Sequence, residues 1–289
     1  MTFKHIVTDI ESIAPLSNTP YMIQQIYSCG TQNIDIVKLV RTIEKDAALT
    51  ANILKMINAP IYGFSKKIAS VSQAVTLFGT DMIYGLVLRY ATQEQLKAET
   101  DIYGIDSKTF NDICQLQSTL MLQWYSKIDL RHAQFMAPLA LIMESGKLVL
   151  ASEVMKSSYV KEFTLGYAKT KNVVEFEYEL LGTTTYYISG MLFEHWNLEP
   201  LYVEILKGLD FERSDSQKVE SYINSLHVIR TAVNLKQILT KSSIEEAAKF
   251  VDEIGLDAEH FKKVAKRVRE QYNQILINRM KKSTTGTQI

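Results

Sequence analysis

From Asp46 to Tyr90 the sequence reads as one helix after another, with a stop signal between each, and this run leaves little room for a sheet. Leu49, Ile53, Met56 and Ile57 recur at i, i+4, i+7 and i+8, the single apolar stripe of an amphipathic helix. Asp46 stands just ahead of it as an N-cap, where a carboxylate accepts from unpaired backbone N–H groups. Pro60 and Gly63 end the helix: one lacks an N–H, and the other tolerates a left-handed turn. Ser70 and Gln73 form a capping-box pattern, opening a helix that turns Val71, Ala74, Val75 and Phe78 inward. Gly79 is expected to close it. Thr80 is expected to cap the next helix, which carries Met82, Ile83, Leu86 and Tyr90 inward. Caps, stripes and stops agree throughout, and that consistency predicts an all-α fold.

The polar stretch 93–109, with Gly104 and a cap at Asp106, separates this lobe from a second. Helices are expected there over 107–126, 131–143, 146–156, 173–181, 184–196 and 200–208. The segment 211–217, FERSDSQ, reads as a connector. Helices over 217–240, 243–254 and 258–281 follow, with Ser242 or Ser243 and Asp257 as caps and Gly255 as a break. The expected organisation is one unit over 13–212, made of lobes 13–98 and 99–212. A helical extension over 213–289 packs on the same unit, with a disordered tail from about 283. At 289 residues, such a chain buries roughly three quarters of its unfolded surface without disulfides. Cys29 and Cys114 suit a reducing compartment. Lys+Arg and Asp+Glu are both 32, so net charge gives no bias toward nucleic acid or a membrane surface. The N-terminal run MTFKHIVTDIES lacks the apolar stretch of a signal peptide. No apolar run approaches the roughly 20 residues that span a bilayer. These features predict a soluble cytoplasmic protein with no membrane contact.

Residues 50–91, TANILKMINAPIYGFSKKIASVSQAVTLFGTDMIYGLVLRYA, also carry a motif. Leu54, Asn58, Tyr62, Gly63, Ser70, Ala74, Leu77, Gly79 and Leu88 fall at the spacing of a leucine-rich helix, N-x-x-x-Y-G, then I-x-S-x-x-x-A-x-x-x-x-G. The stretch resembles the signature of the HDOD domain, a bacterial signalling domain related to the HD and HD-GYP phosphohydrolases. The resemblance implies an HD-domain-like multi-helical bundle with an N-terminal helical lobe. It gives Asn58, Tyr62, Gly63 and Gly79 an architectural role. The catalytic relatives hold divalent metal through a first histidine, an adjacent His-Asp pair and a late aspartate, because imidazole and carboxylate together hold an ion that acidifies bound water. Here no His-Asp dipeptide exists. His5, His132, His195, His227 and His260 are scattered, with no H-x-H or H-x-x-x-H spacing. By the resemblance, the run Leu141-Ile142-Met143-Glu144-Ser145-Gly146-Lys147 stands where L-L-H-D-I-G-K would be. Met143 then replaces the histidine and Glu144 the aspartate, Gln117 takes the place of the first histidine, and Thr185 that of a downstream one. Periodicity places Gln117, Met143 and Thr185 on inward stripes independently. Amide, thioether and hydroxyl are poor ligands for a hard divalent ion. The expectation is therefore a filled or water-containing pocket with no metal, no cofactor and no catalytic residue, in which the carboxylate cluster has gone.

Other motifs are weaker. Gly146-Lys147 fails as a P-loop, since Leu141 and Leu148 occupy the glycine and Ser/Thr positions. A helix-turn-helix over 70–90 has only Arg89 as a cation. The last long helix is locally basic, with Lys262, Lys263, Lys266, Arg267 and Arg269, and a solvated face is the plain reading of it. By resemblance, the chain is a non-catalytic bacterial signalling module. It would act in trans through a partner protein or a cyclic dinucleotide, in motility or stress regulation. The rivals are a residual phosphohydrolase or nucleotidase around Glu144, and a nucleic-acid binder through the basic helix.

Overall fold

The computed structural model describes residues 3–285 except 17, 28–33, 65, 97–99 and 211–215, and the side chains of 3–281 within that set. Cys29 and most of the expected connector lie outside the described residues. Every named element is helical. In chain order the helices begin with α1 (Phe3–Ser12), α2 (Asn18–Tyr27), α3 (Ile36–Glu44), α4 (Ala47–Ile57) and α5 (Val71–Gln95). They continue with α6 (Ser107–Tyr125), α7 (Leu130–Ile142), α8 (Ser145–Lys156), α9 (Val160–Lys169), α10 (Val173–Leu181), α11 (Thr185–His195) and α12 (Pro200–Gly208). Then come α13 (Gln217–Ala232), α14 (Lys241–Glu253) and α15 (Ala258–Thr285). Among the described residues there is no strand; Val233 and Ile238 form an isolated antiparallel bridge.

The local signals act as their chemistry dictates. The Asp46 carboxylate accepts from the backbone N–H of Leu49 at 2.9 Å, and that of Asp106 from Thr109 at 2.7 Å. Ser70 caps Gln73, whose own amide oxygen reaches back to the Ala69 N–H at 2.9 Å. Gly79 has φ +80°, so the helical path of α5 breaks there as expected. Leu49, Ile53, Ile57, Val71, Ala74, Met82, Ile83 and Leu86 are all buried, each large side chain contributing roughly 1.5–3 kcal/mol.

Four expectations are corrected. The helix predicted over 217–240 stops at Ala232, because Asn234 turns the chain: its side chain accepts from the N–H groups of Lys236 and Gln237. The cap of α14 is Thr240, whose hydroxyl accepts from the Ser243 N–H at 3.0 Å, not Ser242 or Ser243. Helix α15 runs on through Ser283 to Thr285, past the expected start of a disordered tail. Helix α9, absent from the sequence reading, fills 160–169 and buries Phe163 and Tyr167.

The centre of the molecule is the packing of α6 against α7, α5 against α7, and α11 against α8 and α12. Val71–Gln95 and Leu130–Lys156 are long and apolar enough to cross a membrane, but 61% and 89% of their apolar windows are buried inside the fold, as in core helices of a soluble protein. Helix α15 lies as a strap along α6. Phe261 meets Trp124 edge-on at 5.1 Å near one end, and Arg279 pairs with Asp112 near the other.

Candidate functional site

The α7–α8 junction brings the sequence-derived positions together. Met143 ends α7 and Glu144 begins the turn into α8, so their side chains enter the bundle where α6, α8, α10 and α11 converge. Gln117, Met143 and Glu144 have no exposed surface, and Thr185 is also buried. The Gln117 amide donates to Glu144 Oε1 at 2.8 Å and to the Val233 carbonyl at 3.0 Å. The Tyr186 hydroxyl donates to the same Glu144 oxygen at 3.1 Å. Met143 contributes packing, while its carbonyl accepts from the Ser189 hydroxyl at 2.6 Å.

The surprise is a charge. Lys147, one helical turn beyond Met143 and Glu144, is 4% exposed, and its ammonium sits among the cluster. It lies 3.6 Å from Glu144 Oε2 and 3.3 Å from Glu177 Oε1, and donates to the Thr185 hydroxyl at 2.9 Å. Glu177, 1% exposed, accepts from both the backbone N–H and the hydroxyl of Thr185 at 2.7 Å. The rings of Tyr103 and Tyr186 lie 5.5 and 5.8 Å from the ammonium, within cation–π range. Burial alone would lower the Lys147 pKa, but Glu177 and then Glu144 outweigh it and hold the ammonium above its usual range. The expected disappearance of the carboxylate cluster is therefore corrected. Two carboxylates remain, and a lysine supplies the positive charge they require.

This donor set does not fit the divalent ion of the HD enzymes. Among the described residues, no three His, Cys, Asp or Glu side chains converge as ligands. An ion here would share the site with an ammonium. At an effective dielectric of about 20 and a spacing of about 4 Å, a divalent ion and an ammonium repel by roughly 8 kcal/mol. Sequence reasoning set Lys147 aside as a failed P-loop lysine and missed Glu177 altogether. Both had a signal. Lys147 is i+4 from inward Met143, and Glu177 lies midway along the stripe from Val173 to Leu181.

The close approach of α8 and α11 sets this geometry. A Cβ on Gly146 would lie 2.0 Å from the Thr185 carbonyl oxygen and 2.8 Å from the Ser189 nitrogen, so only glycine fits. The Gly146 N–H donates to the Ser189 hydroxyl at 2.7 Å.

The signature residues lie apart from this cluster. The Asn58 amide donates to the carbonyls of Leu54 and Ile68 at 2.7 and 2.8 Å and accepts from the Ile68 N–H at 2.8 Å, stitching the end of α4 to the segment leading into α5. The Tyr62 ring meets Phe78 edge-on at 5.3 Å, and Gly63 closes the 3₁₀ turn Pro60–Tyr62 with φ +72°. Of the basic set, Lys262 pairs with Glu245 and Glu259, and Arg267 donates to the Gln123 side chain at 2.9 Å. Arg269 is half-buried, and Lys263 and Lys266 face solvent.

No curated protein is detectably similar in sequence. Among solved structures, an HDOD domain protein from Geobacter sulfurreducens is similar at 14% identity and a TM-score of 0.64, over 94% of this chain and 95% of that one. A candidate phosphohydrolase from Shewanella amazonensis is similar at 14% identity and a TM-score of 0.69, over 92% and 94%. A candidate signal transduction protein from Marinobacter aquaeolei gives 20% and 0.64, over 93% of this chain and 59% of that longer one. These likenesses establish an HD-like fold. The family model of the HDOD domain matches residues 16–208, two thirds of the sequence and all of the elements that build the buried cluster except the Val233 carbonyl, and the chain belongs to the HDOD domain family.

Proposed function

We propose that this chain is a signalling module that hydrolyses no phosphoester and works by binding, in trans, a partner protein or a cyclic dinucleotide, with motility or stress regulation as its setting. One observation carries the reading: the Lys147 ammonium lies between Glu144 and Glu177, where the resemblance puts the metal of the HD enzymes. A carboxylate already paired with a buried lysine is poorly placed to serve as a base or a metal ligand. The names of the structural neighbours include both a phosphohydrolase and a signal transduction protein, so the donor set, not the fold, favours binding over catalysis.

The test is elemental analysis of the purified protein, together with phosphomonoesterase and phosphodiesterase assays in added Mn²⁺, Mg²⁺, Zn²⁺ and Fe²⁺. The expected result is no stoichiometric transition metal and no turnover above a Glu144→Ala control. Bound metal with turnover abolished by Glu144→Ala would overturn the proposal. Partner identity follows from affinity capture with and without cyclic dinucleotide.

A further inference from the structure

A cavity of about 190 Å³ opens where α2, the second half of α5, α7 and the α11–α12 turn meet. Its walls are aromatic. Tyr27 and Tyr84 stack at 4.1 Å, and Phe135 packs against Tyr202 at 5.0 Å. Two carboxylates, Asp81 and Glu199, line it as well, and among the described residues no lysine, arginine or histidine does. The lining is rich in acceptors. The Tyr27 hydroxyl donates to the Thr80 carbonyl and that of Tyr202 to the Phe135 carbonyl, leaving their oxygen lone pairs available. The Gln24 amide, the buried donor in the wall, is committed to the Trp196 and Asn197 carbonyls.

The electrostatics follow. Burial pushes the Asp81 carboxyl above its usual range, opposed only by the Thr80 hydroxyl, with no base to offset it. Burial also raises the Tyr27, Tyr84 and Tyr202 hydroxyls, and Asp81 and Glu199 raise them further. A cavity with this lining repels anions and attracts positive charge, which aromatic walls stabilise through their π faces.

We infer that this cavity binds an organic cation bearing N–H donors, an alkylguanidinium or alkylammonium group, with its head toward Asp81 and Glu199 and its alkyl part against Tyr27, Tyr84, Phe135 and Tyr202. The volume suits a short chain. Such a group belongs either to a free small molecule or to an arginine or lysine side chain of a protein partner, and the chemistry of recognition is the same.

Calorimetric titration of the full chain at fixed ionic strength tests this, with butylguanidinium as the probe and butylurea as its uncharged isostere. The expected result is saturable binding of butylguanidinium, no measurable binding of butylurea, and affinity about tenfold weaker in Glu199→Gln and weaker again in Asp81→Asn/Glu199→Gln. Glu199 is exposed, so its variant remains informative if the double variant folds poorly. A blocked tripeptide with a central arginine identifies the source. Tighter binding of the peptide points to a partner's side chain, and tighter binding of butylguanidinium to a free small cation. Equal binding of butylurea, unchanged affinity in Glu199→Gln, or no saturable binding of any cation overturns the assignment. None of these outcomes bears on the Lys147 cluster.

Discussion

The ammonium of Lys147 and the carboxylate of Glu177 lie 3.3 Å apart with almost no solvent at either, and Thr185 bonds to both. Desolvating two charges is costly, and the cost is recovered only if both remain. Lys147→Met should therefore destabilise the protein by about 3–5 kcal/mol, because it leaves Glu144 and Glu177 buried without a cation. The triple variant Lys147→Met/Glu144→Gln/Glu177→Gln should regain most of that loss. Urea denaturation of the variants reads both. Equal stability of the single and triple variants would show that the charges are not coupled.

Gly146→Ala should be among the most damaging small changes in the chain. Its methyl group would press on backbone atoms of α11, which cannot move aside as a flexible side chain can. Overpacking of this kind costs about 1–3 kcal/mol and more where backbone must shift. The expected outcome is a markedly lower melting temperature than for Gly104→Ala, whose added methyl meets nothing within 4 Å but sits at positive φ.

Asn58→Ala removes three hydrogen bonds, two of which join the end of α4 to the segment before α5. At about 1 kcal/mol each, the loss should be roughly 2–3 kcal/mol. Asn58→Asp should be nearly as harmful, since a carboxylate cannot donate to the Leu54 and Ile68 carbonyls. Equilibrium unfolding checks both.

Two histidines should make stability depend on pH. Burial pulls His132, stacked on Tyr125 at 3.9 Å, down to about 4, and burial followed by Arg230 does the same to His227. Each therefore protonates more readily in the unfolded chain. Their stabilising effect is full above about pH 6.5 and is lost progressively as pH falls toward 4. Each histidine should contribute up to about 1.4 kcal/mol per pH unit in that window, reduced by residual solvent. Urea midpoints from pH 7 to 4.5 measure this, and His132→Phe should flatten the slope.

Cys114 is fully buried, and burial pushes its thiol up to about 11. It should resist a disulfide reagent for hours in native buffer at pH 8 and react within seconds in denaturant. Fast native labelling at this position, mapped by mass spectrometry, would contradict the core packing.

The framework was legible because it rests on short-range chemistry. Asp46, Ser70 with Gln73, and Asp106 cap where their side chains can reach nearby N–H groups, and Gly79 breaks the path where only glycine relaxes. The inward aim of Gln117, Met143 and Thr185 followed from helical period alone. What the sequence hid is long-range. Lys147 and Glu177 are 30 residues apart, and a charged residue on an inward stripe is normally read as a surface residue until its counter-charge is seen. The extra turn at Asn234 and the cap at Thr240 were missed because Val233 to Leu239 keeps an apolar rhythm while its backbone folds back on itself.

The strap formed by α15 has a mechanical consequence. Its C-terminal end is pinned at Asp112 by Arg279 and Tyr272, and its start at Trp124 by Phe261 and His260, so it runs antiparallel to α6. Tension applied at the far end of the helix and directed away from α6 reaches the Asp112 contacts first and the Trp124 contacts last. The helix would peel turn by turn, and each turn released would uncover another part of a helix whose inner face holds Gln117.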